Sequence, residues 1–433
     1  MTSTRVQSVA GQVIALGLAV MLLSSITLSP ALAQDIALGT SVQGLLDYAR
    51  SRSPEIAAMR QEATAAVQRV GPAGALPDPV LRVELMNINN YGTDAAPSLL
   101  PWQAGETKYT LMQTLPFFGK RGLRRDAAAA EARQAGSRTE AAWLDLAARI
   151  KSGYAEYYRA AGNERLTREV LELMAQLEQV AQARYAGGLV PQQDPIRAQL
   201  EQTAMRSELI SLESEKRQLH ARLNALLGRE AAAALAEPQQ LRPLPAATAA
   251  DAMALAQRAR AANPKLQAEQ ARLAAARLNR DLTWRNRYPD LQVGVSPTQM
   301  GSRITTWGLM FEVNIPLQQG TRRSQEAEAL AMVGAAEARA EAVATELVGD
   351  LAGNLAALDA ARRTEALVRT QQLPQSQLSL RSAQAAYENG KLDFTALLEA
   401  QRQIRKARQD LLKTQTEAQL RLADIERILG EDL

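Results

Sequence analysis

Apolar residues recur at helical spacing over most of this chain. Between Pro116 and Pro191 lie 74 residues without proline, and a further 57 run from Leu317 to Leu373. At about 1.5 Å per residue, a helix of about 70 residues spans on the order of 100 Å and needs a partner along its length. Two seams with steps of three and four residues predict such partners, as in coiled coils. The first contains Leu166, Val170, Leu173, Leu177 and Val180, and the second contains Ile404, Ala407, Leu411, Ala418, Leu422, Ile425 and Leu429.

A second pattern, the alternation of apolar with polar or small residues, marks four short segments. It predicts strands at about 80–88, 107–115, 290–297 and 305–315. The alternation is weakest in the second of these. We expect the apolar positions of the other three to form one face that contacts lipid. The predicted lipid-facing residues are Leu81, Val83, Leu85, Leu291, Val293, Val295, Trp307, Leu309, Phe311 and Val313.

Five landmarks recur along the chain at nearly constant offsets of 200 to 212 residues, which predicts an internal duplication. The first copy carries extra residues in a loop at about 87–106, and this insertion accounts for the change in offset. The pairs are Ser53-Pro54-Glu55-Ile56 with Asn263-Pro264-Lys265-Leu266, Leu76-Pro77-Asp78 with Tyr288-Pro289-Asp290, Leu115-Pro116 with Ile315-Pro316, Tyr185 and Gly188 with Tyr387 and Gly390, and Leu227-Gly228 with Leu429-Gly430.

The duplication divides the chain into repeats at 34–236 and 248–433, joined by a Pro-rich linker at 237–247. Each repeat is predicted to contain one helix of about 30 residues, two strands, and two long helices joined by a Gly-containing turn. The long helices are expected at about 117–187, 191–228, 317–388 and 392–430, with interruptions at Gly162-Asn163 and Pro374. The predicted fold class is therefore mainly α with a small β part and an internal two-fold repeat.

Four strands make too small a sheet for a domain among so much helix. Half-buried strands of a soluble sandwich would show the same alternation, but the apolar faces and an export signal favour a membrane barrel. Residues 1–33 are predicted to be that signal peptide, with Arg5, an apolar run and the cleavage motif Ala31-Leu32-Ala33. Because about eight strands are needed to close even a filled barrel, several chains must contribute, and three would supply twelve.

The composition offers little for catalysis. The chain has no cysteine and one histidine, His220, which is expected at the surface beside Lys216 and Arg217. No nucleophile, zinc or phosphate-binding motif is present. We therefore predict that the protein is not an enzyme and needs no cofactor or metal. The formal charge of +4 is spread over mixed acids and bases, which argues against nucleic acid as a partner.

Several of these motifs resemble those of the TolC-type outer membrane efflux family. The segment from Leu115 to Arg121, Leu-Pro-Phe-Phe-Gly-Lys-Arg, is similar to its strand-to-helix junction. Tyr185-Ala186-Gly187-Gly188-Leu189 and Tyr387-Glu388-Asn389-Gly390-Lys391 resemble its helical tips. The resemblance implies a homotrimer in the outer membrane of a Gram-negative bacterium, with a twelve-stranded barrel and a coiled-coil tunnel in the periplasm. It also implies a periplasmic adaptor and an inner-membrane pump, with the RND type expected, as partners.

The resemblance also implies two sets of site residues. Adaptor docking is expected at the tips, and a gate ringed by carboxylates is expected at Asp194 and Glu399, although Ala396 replaces one acid of the family pattern. A solvated acid near a helix start is the alternative for each carboxylate, and a purely structural turn is the alternative for the tips. The predicted tip residues are Arg184, Tyr185, Gly187, Gly188, Leu189, Tyr387, Asn389, Gly390, Lys391 and Leu392.

The function predicted by these features is a passive exit duct of a tripartite efflux system. The Pro116 to Arg121 junction most resembles members that serve heavy-metal cation pumps, so such cations are the expected substrate. A periplasmic adaptor is the main alternative, but adaptors carry one helical hairpin whereas the pattern here occurs twice. A secreted coiled-coil scaffold is the other alternative, and it would not account for the alternating strands.

Overall fold

The computed structural model describes residues 38–88, 97–245 and 252–433. The predicted signal peptide lies outside these residues, as do parts of the predicted 87–106 loop and of the Pro-rich linker. Within the described residues, the fold is mainly α with one small antiparallel sheet. The predicted fold class and the internal duplication are confirmed.

Each repeat contains two short helices, two β-strands and a pair of long helices. In the first repeat the elements are α1 (Val42–Arg52), α2 (Pro54–Gly74), β1 (Val80–Met86), β2 (Glu106–Leu115), α3 (Lys120–Ala186) and α4 (Gln193–Leu226). In the second repeat they are α5 (Ala252–Ala262), α6 (Pro264–Arg285), β3 (Leu291–Met300), β4 (Arg303–Val313), α7 (Gln319–Leu367), a π-helical turn (Val368–Gln372), α8 (Leu373–Glu388) and α9 (Phe394–Leu429).

The single helix of about 30 residues expected at the start of each repeat is in fact two helices. Ser53 and Asn263 have extended backbones and act as N-caps, since their side chains accept hydrogen bonds from the backbone N–H groups of Ile56 and Leu266. A proline follows each cap, at a position where its missing N–H costs nothing. The landmark Ser-Pro and Asn-Pro pairs are therefore helix starts.

The interruption expected at Gly162-Asn163 is absent, because α3 continues through both residues. A β-carbon at position 162 would lie 3.0 Å from both methyl carbons of Leu412 on α9, so glycine serves close helix packing there. The interruption at Pro374 is present as the π-helical turn of residues 368–372 just before it. Proline has no N–H to donate, and a π-turn adjusts the hydrogen-bond ladder around that loss.

The four strands form one sheet in the order β1-β2-β3-β4, with every neighbouring pair antiparallel. Direct cross-strand partners lie on the same face of a sheet. Leu81 pairs with Leu111, which pairs with Val295, which in turn pairs with Leu309. The remaining register places all ten predicted lipid-facing residues on this same face. Both outer strands, β1 and β4, have one unpaired edge.

The helices continue the order of the strands. The four helices next to the sheet pack side by side in the order α2, α3, α6 and α7. They connect to β1, β2, β3 and β4, respectively. Further from the sheet, α3 pairs with α4, the α7–α8 segment pairs with α9, and α9 also packs on α3. Of the first predicted seam, Leu166, Val170 and Leu177 are buried, whereas Val180 is exposed and Ala181 takes its place in the core.

None of the described helices is both long enough and apolar enough to cross a lipid bilayer.

Candidate functional site

Two helix reversals at the far end of the long helices share one geometry. Gly188 and Gly390 have φ angles of +70° and +69°, a conformation that other residues rarely adopt. Next to Gly188, the N–H of Leu189 donates to the carbonyl of Arg184 at 2.9 Å. Next to Gly390, the N–H of Lys391 donates to the carbonyl of Ala386 at 2.8 Å. These bonds are those of the Schellman motif, and the two helix ends are equivalent at an offset of 202 residues.

Arg184 joins the two tips. Its Nη1 donates to the backbone carbonyls of Tyr387 and Glu388 at 2.6 and 2.7 Å, and its guanidinium carbon lies 5.0 Å from the centre of the Tyr387 ring. Both carbonyls belong to the C-terminal end of α8, where the helix dipole favours a cation. Within the chain Arg184 thus binds the other repeat, and its predicted role in adaptor docking stays a prediction.

The remaining predicted tip residues divide by exposure. The side chains of Tyr185, Leu189 and Lys391 are open to solvent, with Leu189 70% exposed. Tyr387 is buried against Phe394, and Leu392 packs partly against the same core. Gly187 is exposed, and Asn389 donates from Nδ2 to the carbonyl of Ala385 at 2.7 Å.

Asp194, one of the predicted gate carboxylates, is only 7% exposed. Burial raises the pKa of its carboxyl group, and the positive charge of Arg197 and the hydroxyl of Tyr387 partly oppose this. Burial and the charge of Asp194 in turn raise the pKa of Tyr387, whose hydroxyl has no hydrogen-bond partner of standard geometry. The Asp194 side chain is therefore held against the other repeat, and it is not a solvated acid.

Glu399, the other predicted gate carboxylate, has a different environment. Its side chain is exposed on the first turns of α9, where it accepts a hydrogen bond from Nε2 of Gln403 at 3.4 Å. Arg402, three residues further on, pairs with Glu201 of α4 at 2.8 Å. Asp194 and Glu399 are thus not equivalent in the repeat, and their role in a gate stays a prediction.

The sheet presents the other candidate surface. Large apolar side chains stand open on one face, including Leu309 at 74% exposure, Phe311 at 68% and Leu81 at 64%. The opposite face carries mostly polar or small residues, such as Thr110, Ser296 and Gly308. Contiguous apolar surface of this kind marks a contact with lipid or protein.

A polar junction below the sheet links the two repeats and was missed from the sequence. Lys120, which is 3% exposed, donates from Nζ to Asp290 at 2.8 Å and to the carbonyl of Tyr288 at 2.7 Å. Asp290 also accepts from the backbone N–H of Phe117, and Lys120 and this N–H lower the pKa of Asp290 against the effect of burial. Both residues lie in motifs seen in the sequence, but their pairing needs the tertiary structure.

The single histidine differs from its predicted position at the surface. His220 is half-buried, and its ring lies edge-on to that of Tyr157 with 6.3 Å between the ring centres. Among the described residues, no group of three or more His, Cys, Asp or Glu side chains is arranged to hold a metal ion.

Comparison with known proteins gives a consistent result. The profile of the family described as "Outer membrane efflux protein" matches residues 45–229 and 255–431, one segment in each repeat. No curated protein sequence matches the chain.

Solved structures match over almost the whole chain. The outer-membrane channel OprN is 18% identical with a TM-score of 0.77, over 90% of this chain and 89% of that one. The outer membrane protein VceC from Vibrio cholerae is 19% identical with a TM-score of 0.76, over 90% and 96%. A membrane protein from Pseudomonas aeruginosa is 21% identical with a TM-score of 0.78, over 92% of each chain. At these identities the likeness shows the fold, which is the TolC-like channel fold.

Proposed function

The chain belongs to the outer membrane efflux protein family, and from this premise we propose that it is the exit duct of a tripartite efflux system. The duct conducts substrates passively, while an inner-membrane pump supplies the energy and a periplasmic adaptor connects the two. The observation that carries the proposal is an open apolar sheet face at one end of the long helices and two exposed tips at the other. Lipid suits the first surface and a protein partner the second.

The working assembly in this proposal is a homotrimer in the outer membrane, with the helices in the periplasm. Its support is the small sheet with two unpaired edges, because unsatisfied backbone groups are costly in lipid and a barrel removes them. The pump is proposed to be of the RND type, and this rests only on the resemblance of the motifs.

A cysteine-labelling experiment tests the membrane position of the sheet. The natural chain has no cysteine, so Leu309→Cys on the apolar face and Thr306→Cys on the opposite face can be compared directly. A charged, membrane-impermeant maleimide should label Thr306→Cys in intact cells and leave Leu309→Cys unlabelled, whereas both should react after detergent extraction. Equal labelling of both in cells would count against a lipid-embedded face.

The tips are proposed to dock the adaptor through Tyr185, Leu189 and Lys391, whose side chains are exposed. A photocrosslinker at Leu189 should capture the adaptor in cells. The matched control is Leu330 on α7, which is 61% exposed but lies near the sheet, and it should capture none.

Asp194 and Glu399 are proposed to act at the gate below these tips.

Heavy-metal cations are the proposed substrate, on the strength of the Leu-Pro-Phe-Phe-Gly-Lys-Arg junction alone. Deleting the gene should raise the cellular content of such cations, and plasmid-borne wild type should restore it. A rise confined to organic drugs would keep the duct and reject the substrate. No change for any exported compound would reject the duct.

A further inference from the structure

The two hairpins allow one repeat to be aligned on the other residue by residue. Val80 pairs with Met112 in the first hairpin, and Gln292 pairs with Glu312 in the second. The offsets are 212 from β1 to β3 and 200 from β2 to β4, which are the offsets that the Pro-Asp and Leu-Pro landmarks show in the sequence. Strand β1 is thus equivalent to β3, and β2 is equivalent to β4.

The pairing of β2 with β3 joins the end of one hairpin to the start of the next. The equivalent pairing would join β4 to β1, but these strands lie at opposite edges of the sheet with β2 and β3 between them. Neighbouring strands are about 4.8 Å apart, so β4 cannot reach β1 of its own chain without breaking the sheet. The partner equivalent to that of β2 is therefore β1 of another copy.

We infer that β4 of one copy pairs with β1 of the next copy in the register that β2 uses with β3, and that Glu312 there forms an ion pair with Arg82. Within the chain, Met112 of β2 pairs with Gly294 of β3. The residue of β4 equivalent to Met112 is Glu312, at the offset of 200, and the residue of β1 equivalent to Gly294 is Arg82, at the offset of 212. The equivalent pair therefore places Glu312 opposite Arg82 of the next copy. This inference rests on the proposed oligomeric duct and names the contacts that close it.

The side chains agree with this register, although they were not used to derive it. It places Val313, Phe311 and Leu309 opposite Leu81, Val83 and Leu85 of the next copy, in that order. All six lie on the apolar face of the sheet, so three apolar cross-strand pairs form on one side. The Glu312–Arg82 pair forms on the other side, and direct cross-strand pairs of opposite charge are stabilising.

Other registers lack this agreement. A slip of one residue would set the apolar side chains of one copy against the polar ones of the next. A slip of two residues in one direction would place Glu312 opposite Glu84, with like charges, and in the other direction would place Arg82 opposite Met310. Among the described residues of the single chain, Arg82 forms an ion pair only with Glu84, at 3.8 Å, and Glu312 forms none.

Disulfide crosslinking tests the register, because the chain contains no other thiol. Directly paired antiparallel residues have Cα atoms about 4.5–5.5 Å apart, within the reach of a disulfide, whereas a shift of two residues adds about 7 Å along the strand. The pair Arg82→Cys with Glu312→Cys should give covalent dimers and trimers on a non-reducing gel of outer membranes. The shifted control, Glu84→Cys with Glu312→Cys, should give at least about fivefold less.

Crosslinking of the control in place of the inferred pair would overturn the register. No crosslinking of either pair, in chains that fractionate with the outer membrane at trimeric mass, would overturn the pairing of β4 with β1 alone. Loss of the chain from that fraction would overturn the proposed function and the pairing of β4 with β1 together.

A charge exchange tests the ion pair: Arg82→Glu should lower the temperature at which the oligomer dissociates, and adding Glu312→Arg should restore it. Failure of that restoration would overturn the ion pair.

Discussion

Asp194 is a buried acid whose surroundings only partly compensate its charge. Arg197, Arg184 and the Tyr387 hydroxyl favour the ionised form, while burial and the nearby Asp393 favour the protonated form, and the net effect is a raised pKa. A carboxyl group with a raised pKa binds its proton more tightly in the folded chain than in the unfolded chain. Folding therefore gains stability as the pH falls through the raised pKa towards the ordinary value of 3.8.

We expect the tip to become more stable at acidic pH in the wild type, and Asp194→Asn to remove this dependence. The measurement is amide hydrogen exchange over residues 386–396 at several pH values from neutral down to the ordinary value of 3.8. The difference between wild type and variant at each pH cancels the intrinsic pH dependence of exchange. Glu399→Gln, which changes an exposed acid on the first turns of α9, should leave the exchange unchanged. A variant as pH-dependent as the wild type would show that Asp194 is not the responsible group.

Arg184 supplies a second prediction at the scale of one residue. Arg184→Ala removes two charge-assisted hydrogen bonds to the end of α8, and we expect the local opening free energy of residues 389–391 to fall by about 1–2 kcal/mol. Hydrogen exchange should then speed up at this tip and not at the sheet. Arg363→Ala, which removes an exposed i,i+4 pair with Asp359, is the control and should have little effect. Equal effects of the two variants would contradict a bridging role.

At the scale of an element, α3 tests how glycine is used within a long helix. A β-carbon at Gly136 would meet nothing within 4 Å, whereas one at Gly162 would lie 3.0 Å from the methyl carbons of Leu412. Gly136→Ala should therefore stabilise the protein by up to about 1 kcal/mol, the helix propensity difference. Gly162→Ala should gain less, and Gly162→Leu should be clearly less stable than Gly136→Leu. Thermal unfolding at one heating rate compares the four variants, and indistinguishable Leu variants would contradict the close approach of α3 and α9.

The elements also show what the sequence could predict. The alternation in Trp307, Leu309, Phe311 and Val313 predicts both a strand and its apolar face, because every second residue points the same way whatever the partner strand is. The split between α1 and α2 could have been predicted as well, since Ser53-Pro54 is a capping signal.

Over the whole molecule, the duplication was predictable because offsets in the sequence need no tertiary information. The pairing of Lys120 with Asp290, and the inward position of Asp194, were not. Each depends on residues about 170 to 190 positions apart that are brought together only when the helices pack. For the same reason the sequence does not predict that Arg184 donates to the carbonyl of Tyr387 and lies over its ring. Their role in docking stays a prediction.

One buried carboxylate joins the two repeats, in addition to the β2–β3 pairing and the Lys120–Asp290 junction, and this gives a prediction for the whole molecule. Glu426 on α9 is 2% exposed and binds Lys151 of α3 at 2.7 Å. It also binds Arg242 of the connecting segment, at 3.0 and 3.1 Å. The equivalent residue of the first repeat, Asn224, instead donates to nearby backbone carbonyls. Of these two equivalent positions, only the one on α9, which contacts the first repeat, carries a charge.

Within the part of the chain that the structure describes, Glu426→Ala leaves the buried ammonium of Lys151 with Asp432 as its one remaining carboxylate partner, at 2.5 Å. Breaking a buried pair from one side costs about 3–5 kcal/mol, so a large fall in the temperature of heat unfolding is expected at a fixed heating rate. Glu215→Ala breaks the half-exposed pair with Arg159 and should cost no more than about 1 kcal/mol. Because the loss comes chiefly from the buried ammonium of Lys151, which then keeps only the exposed Asp432 among its described carboxylate partners, the double variant Lys151→Met with Glu426→Leu should recover part of it. A double variant no more stable than Glu426→Ala would mean that Glu426 acts mainly through Arg242.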